Sequence, residues 1–247
     1  MCDPPTSMVA QAVQVENLRK RYGDVQALDG LSFEVRPDEI FGLVGPNGAG
    51  KTTTLRTLAT LLNKDDGAVT VAGHDVSDDP DAVRRAIRYL PEDAGAYESM
   101  SGRQFLAFVA DFYADGNEAA AMVERGVEIA DLGDRIDDDT GGYSRGMTRK
   151  LLIGSALMTD PNLAILDEPT SGLDVQNSKT VREVVKAFPD EERSILLSSH
   201  DMLEVEYLCD RVGLLNDGVV VSSGSPAELK AEYDAENLED VFLEVVA

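Results

Sequence analysis

The chain has 247 residues, 43% of them hydrophobic, enough for a full core in one domain or two unequal lobes. Its 46 acidic residues against 22 lysines and arginines leave a formal net charge of -24, which disfavours a nucleic-acid partner because binding to phosphate backbones rests on Lys and Arg releasing counterions. No run of about 18 apolar residues occurs, so no bilayer span is expected.

Residues 1–12 form an expected loose tail without the basic and apolar regions of a signal peptide. Cys2 and Cys209 make neither a disulfide framework nor a metal knuckle, which points to a reduced, cytoplasmic compartment. The acid is dispersed, as in Asp78 to Asp81, Asp137 to Asp139 and Asp190 to Glu192. Such dispersion looks like adaptation to a high-salt cytoplasm, since the Debye length falls from about 10 Å at 0.1 M to about 3 Å at 1 M and self-repulsion falls with it.

In chain order, Val13 and Val15 alternate with polar residues and predict a strand, and Leu31, Phe33 and Val35 repeat the pattern after an Asp29-Gly30 turn. Between them, Tyr22 sits in an exposed Arg21-Tyr22-Gly23 turn. An aromatic face there can stack on a base, although most lone tyrosines are packing residues.

Next comes an apolar run, Ile40 to Val44, then GPNGAGKTT over Gly45 to Thr53, then leucines at helical spacing from Thr54 to Leu62. Strand, glycine loop and helix in this order fill every fixed position of G-x-x-x-x-G-K-[ST] and predict a nucleoside-triphosphate site. Gly45, Gly48 and Gly50 remove side chains that would keep a polyphosphate from the backbone of Pro46-Asn47-Gly48-Ala49, whose successive N–H groups, from Asn47 on, can turn toward its oxygens. The helix start adds unpaired N–H groups and a favourable dipole. Lys51 reaches the β and γ phosphates, the Thr52 hydroxyl can ligate magnesium, and Thr53 completes the loop.

Ala68 to Ala72 reads as a further strand, and His74 after it as a solvated loop residue. Ala82 to Arg88 predicts a short helix leading into Tyr89-Leu90-Pro91-Glu92. From Ser101 to about Asp160 the pattern is helical, over Gln104 to Tyr113, Ala119 to Leu132 and Ser144 to Met158, as if a helical lobe were inserted into an α/β body. Strands return at Leu163 to Leu166 and Ser194 to Ser198 around a helix from Asn177 to Ala187, and Val212 to Ser222 makes a hairpin about Asp217-Gly218. Strands alternating with helices argue for a largely parallel sheet covered on both faces.

These motifs, in this order, resemble the nucleotide-binding subunit of an ABC transporter from Val13 onward. The resemblance implies a P-loop NTPase with a mostly parallel central sheet, an N-terminal antiparallel part and an inserted helical subdomain, divided as 13–92 with 161–247 and 93–160. It places Tyr22 at the adenine-stacking position and Gly45 to Thr53 at Walker A. Glu92 stands where the family usually has a glutamine that senses magnesium. Tyr143-Ser144-Arg145-Gly146-Met147 matches the LSGGQ signature, with Arg145 for its first glycine and Met147 for its glutamine. LAILDE, Leu163 to Glu168, is Walker B with the following glutamate; Ser171 to Asp174 is the D-loop and His200 the switch histidine.

Asp167 ends an apolar strand, so its carboxylate emerges at the sheet's carboxyl edge, where it can hold magnesium. Glu168 is placed to polarise a water attacking the γ-phosphorus, and His200 to contact that phosphate. An isolated Asp-Glu pair also reads as a capping acid before Pro169, and Ser144 alone as a good N-cap.

By the same resemblance, the Ser144 to Met147 cradle closes over ATP held by a second ATP-binding subunit, with Asp174 joining the two sites, and a separate membrane permease is the driven partner. The Asn237 to Phe242 tail resembles that of export-type ATPases. A soluble ABC-class ATPase in DNA repair, translation or cluster assembly, and a P-loop kinase, are the rival readings; the acidic surface and lack of a long coiled-coil insertion oppose the first, and the SGLD and histidine positions the second.

Overall fold

The computed structural model describes residues 11–246. The expected tail therefore lies outside the described residues except for Gln11 and Ala12, and so does Cys2. The first part of the chain is β1 (Val13–Tyr22), β2 (Val25–Val35), β3 (Ile40–Val44), α1 (Lys51–Leu58), β4 (Asp66–Val71) and β5 (His74–Asp75). α2 (Pro80–Ala86) and β6 (Ile87–Leu90) lead into three helices, α3 (Gly102–Ala110), α4 (Gly116–Ala130) and α5 (Arg145–Leu157). The rest is β7 (Leu163–Asp167), α6 (Val175–Ala187), β8 (Ser194–Ser199), α7 (Met202–Leu208), β9 (Arg211–Asn216), β10 (Val219–Gly224), α8 (Pro226–Glu232) and α9 (Leu238–Val246).

Two sheets result. One is antiparallel, in the order β2-β1-β4-β5, and the other runs β10-β9-β3-β8-β7-β6, parallel except for the β9–β10 hairpin. β3, β7 and β8 are buried at every position, as strands covered on both faces are; β3 is apolar throughout, whereas β7 ends in Asp167 and β8 carries Ser194, Ser198 and Ser199. One apolar cluster, including Phe41, Leu55, Leu163, Ile165 and Leu196, fills the space between the sheets, while another runs from the far face of the parallel sheet into α3, α4 and α5. Among the described residues no helix is long and apolar enough to cross a membrane.

Three local expectations change. The chain does not turn at Asp29-Gly30: β2 runs straight through, with Gly30 at φ 88 where the β1–β2 register shifts, and the reversal falls at Gly23-Asp24. A glycine with positive φ inside a strand marks an irregularity of this kind as readily as a turn. Tyr22 is accordingly the last residue of β1, paired with Val25, rather than part of a longer turn. The Ala82 to Arg88 helix stops at Ala86, because Ile87 to Leu90 pair with Leu163 to Leu166 as β6; the pairing outweighs local helical preference. His74 is exposed but lies in the two-residue β5, its Nδ1 3.5 Å from Asp79 Oδ2.

Candidate active site

The parallel strands bring their carboxyl ends to one edge: the Gly45 loop follows β3, Glu92 follows β6, Glu168 follows β7 and His200 follows β8. A cleft there is lined by Ala27, Pro46, Asn47, Gly48, Gly50, Lys51, Thr52, Thr53, Glu92 and Glu168. Such an edge is where open α/β sheets present their sites.

The three loop glycines have different reasons. A β-carbon on Gly45 would fall 2.1 Å from the Leu215 carbonyl oxygen, and one on Gly50, at φ 112, would fall 2.7 Å from Leu28 Cδ2. Gly48, at φ 87, has nothing within 4 Å of that position. Gly48 thus keeps the cleft open, whereas Gly45 and Gly50 let the loop lie against β9 and β2. Ala49 is buried behind it.

Lys51 is 6% exposed. Its Nζ donates to the Gly45 carbonyl at 2.6 Å and the Pro46 carbonyl at 3.2 Å, and stands 3.8 Å from Glu168 Oε1. Burial pushes the ammonium pKa down, opposed by Glu168, Asp167 and Glu92. Glu168 Oε2 is 2.9 Å from His200 Nδ1, so the carboxylate and the imidazole edge face each other. Glu168 also has φ 49, an uncommon left-handed conformation for a residue with a β-carbon.

Asp167 is 3% exposed and accepts from Ser198 Oγ at 2.5 Å and from Tyr89 Oη at 3.3 Å. Burial and then the Asp167 charge push the Tyr89 phenol up to about 12, so it stays a donor. Glu92 Oε1 accepts from Ser171 Oγ at 3.2 Å, linking the β6 exit to the segment after β7. A hydroxyl at Thr52 with carboxylates at Glu92 and Asp167 is an all-oxygen set, which fits a hard cation shared with phosphate oxygens.

The signature segment lies apart from this cleft's lining. Ser144 caps α5, its Oγ accepting from the Met147 amide at 3.3 Å. Gly146 is buried against α6: a β-carbon would lie 2.5 Å from Asn177 Nδ2. The Arg145 guanidinium rests on the loop after β7, where a β-carbon on Gly172 would be 2.3 Å from its Nη1. Asp174 caps α6, accepting from the amides of Gln176 and Asn177, both at 3.0 Å. Tyr22 is 48% exposed at the tip of the β1–β2 hairpin and does not line the cleft either.

Sequence reasoning missed Ser198 and Tyr89, which hold Asp167, and above all Arg149, whose guanidinium is buried behind Glu92 and Glu168. Arg149 and Lys150 stand at the head of an apolar helical run with no acid at matching spacing, and that unpartnered charge was the available signal.

A strand, glycine loop and helix carrying a lysine, backed by acids from adjacent parallel strands, define a P-loop nucleotide-hydrolysing protein. The family model described as ABC transporter matches residues 28–171. The chain belongs to that family and is an ABC transporter ATP-binding subunit, an ATPase. It is 38% identical over 224 residues to the daunorubicin/doxorubicin resistance ATP-binding protein DrrA of Streptomyces peucetius, covering 90% of this chain and 67% of that one. To the linearmycin resistance ATP-binding protein LnrL of Bacillus subtilis (strain 168) it is 35% identical over 218 residues, 88% and 70% of the two chains. A solved ATP binding subunit of an ABC transporter superposes with a TM-score of 0.85 at 27% identity, over 96% of this chain and all of that one.

Proposed function

We propose that the chain binds magnesium ATP in the cleft beside the Gly45 loop, hydrolyses it, and drives a separate membrane permease that exports its cargo. The observation that carries the reading is Glu168, buried between Lys51 Nζ at 3.8 Å and His200 Nδ1 at 2.9 Å on the rim of that cleft. Loop amides and Lys51 hold the triphosphate. Thr52, Asp167 and Glu92 would hold a magnesium ion, which would neutralise phosphate oxygens. Glu168 takes the proton of the attacking water, and His200, beside Glu168 at the end of the next strand, contacts the γ-phosphate. Tyr22 stacks on the adenine.

Ser144, Arg145, Gly146 and Met147 face a nucleotide on a second ATP-binding subunit, and Asp174 lies between the two sites. A solved relative of the same fold, at 21% identity and a TM-score of 0.77, is described as dimeric and bound to ADP and Pi, which supports this arrangement. Residues 93–160 act as the helical lobe, and 13–92 with 161–247 as the ATP-binding body. Tyr97, Phe108 and Phe112 are exposed and stack edge to face at 5.4 and 5.1 Å, beside the segment carrying Glu92. Such an aromatic surface is the docking place for the permease, and it holds the protein on the inner face of the membrane. ATP closes the pair and hydrolysis reopens it, moving the helical lobes.

The test is Glu168→Gln. ATP retention stays near wild type while phosphate release falls by roughly 10² to 10⁴, the usual worth of general-base assistance. Near-normal phosphate release would remove Glu168 from the reaction.

A further inference from the structure

The β6–β7 ladder ends at the pair Leu90 and Leu166. Beyond it the two segments part, and carbonyls that would have continued the ladder need other donors. Arg149 supplies them from α5. It is 7% exposed, and its Nη1 donates to the Pro91 carbonyl at 2.9 Å and, longer, to that of Glu92 at 3.5 Å. Its Nη2 donates to the carbonyls of Asp167 at 2.6 Å and Glu168 at 3.1 Å, and its Nε to Pro169 at 3.0 Å.

A buried guanidinium is tolerated only where its donors are met, and here main-chain oxygens of two segments meet them. The fork geometry is specific, since five fixed N–H groups span a gap that an ammonium with three cannot. The same bonds bear on the uncommon backbone of Glu168. Its amide donates to the Ser198 carbonyl and Oγ, both at 3.2 Å, and its carbonyl is held by Arg149. A left-handed residue persists only where both sides of it are fixed in this way.

We propose that Arg149 is a positioning residue that ties Glu92 and Glu168 to each other and to α5, so that both acids follow the helix that Ser144 begins. The proposal rests on the reading of Glu168 as the hydrolytic acid, and its consequence is that movement of the helical lobe is carried to both sides of the cleft at once. Arg149 touches no reacting atom; it acts through the main chain of residues that do.

The test uses the full chain with Arg149→Lys, which keeps the charge, and Arg149→Ala with methylguanidinium added back. In Arg149→Lys, kcat falls roughly ten- to a hundred-fold, the scale of an ångström-sized misplacement, while magnesium-free ATP binding changes less than about threefold. Amide hydrogen exchange rises together in the segments around 91–93 and 167–171. Methylguanidinium returns several-fold of the lost rate to Arg149→Ala and none to Glu168→Gln. Wild-type kcat in Arg149→Lys, or exchange that rises in only one segment or in neither, overturns the proposal. If Arg149→Ala does not fold, Arg149→Lys decides alone. Failure of the wild type to hydrolyse ATP would instead sink the parent reading, and the exchange measurement would still decide whether Arg149 joins the two segments.

Discussion

The loop side and the signature side of this chain are built differently. Beside the Gly45 loop, Lys51, Asp167 and Glu168 are 6%, 3% and 7% exposed, and each is met by protein groups of the same chain. At the start of α5, Ser144 and Arg145 are exposed, and the Ser144 hydroxyl does no more within the chain than cap its own helix. Burial fixes charged groups before any ligand arrives, whereas an exposed helix start offers amides and a hydroxyl to whatever docks there. On the proposed reading, one half of the nucleotide site is complete in a single chain and the other half is the surface offered to a second.

That contrast can be broken most forcefully at the glycines. Gly45→Ala pushes a β-carbon at the Leu215 carbonyl, with main chain on both sides, and is expected to destabilise by roughly 1–3 kcal/mol or more in a denaturant melt. Gly146→Ala meets a side chain rather than main chain, Asn177 at its Nδ2, Cγ and Cβ, and should cost less than Gly45→Ala. A larger cost at Gly146 would reverse the assignment of rigid and adaptable halves.

Salt separates buried from exposed charge in the same way. With a net charge of -24, the melting temperature should rise between dilute buffer and about 2 M KCl as surface repulsion is screened. A melting temperature that is flat or falls would reject adaptation to high salt.

Ser144→Ala should cost about 1 kcal/mol of helix capping and weaken ATP-dependent dimerisation of the chain carrying Glu168→Gln, read by sedimentation. Loss of the cap with dimerisation untouched would leave Ser144 a capping residue only.

The smallest effect is at Asp174, whose carboxyl the amide of Asn177, its side chain and the amide of Gln176 hold below the ordinary value of 3.8. A depressed carboxyl contributes stability that is present above its ordinary pKa and lost as pH falls through the lower, folded value. The small gap in melting temperature between wild type and Asp174→Ala should therefore be open at neutral pH and close below about pH 4. A gap unchanged down to about pH 2 would show that the carboxylate's bonds are not its source.

Most of the candidate site was legible because its motifs are local. Strand, loop and helix follow one another from Ile40 to Leu58, and Asp167-Glu168 and His200 each end an apolar strand, so periodicity and turn residues within a few positions carry the information. The failures were equally local in cause. Gly30 looks like a turn when only its neighbours are considered, and Ile87 to Leu90 looks like the end of a helix until Leu163 to Leu166 lie beside it. Arg149 had no legible partner, since its acceptors are carbonyls at positions 91–92 and 167–169, which any residue type provides.

The amino-acid order by itself determined the parts of the candidate site: a glycine loop of phosphate-binding pattern, two acids at the end of an apolar strand and a histidine after the next, each recognisable from contiguous residues. Only the tertiary structure decided how these parts are held, that Gly45 is small because of Leu215, that Glu168 takes a left-handed backbone, and that one buried guanidinium joins both sides of the cleft. The physical reason is that chemistry-bearing side chains are written in residue identity, while main-chain hydrogen bonds and close approaches depend on which distant segments meet, and a carbonyl is the same in every residue.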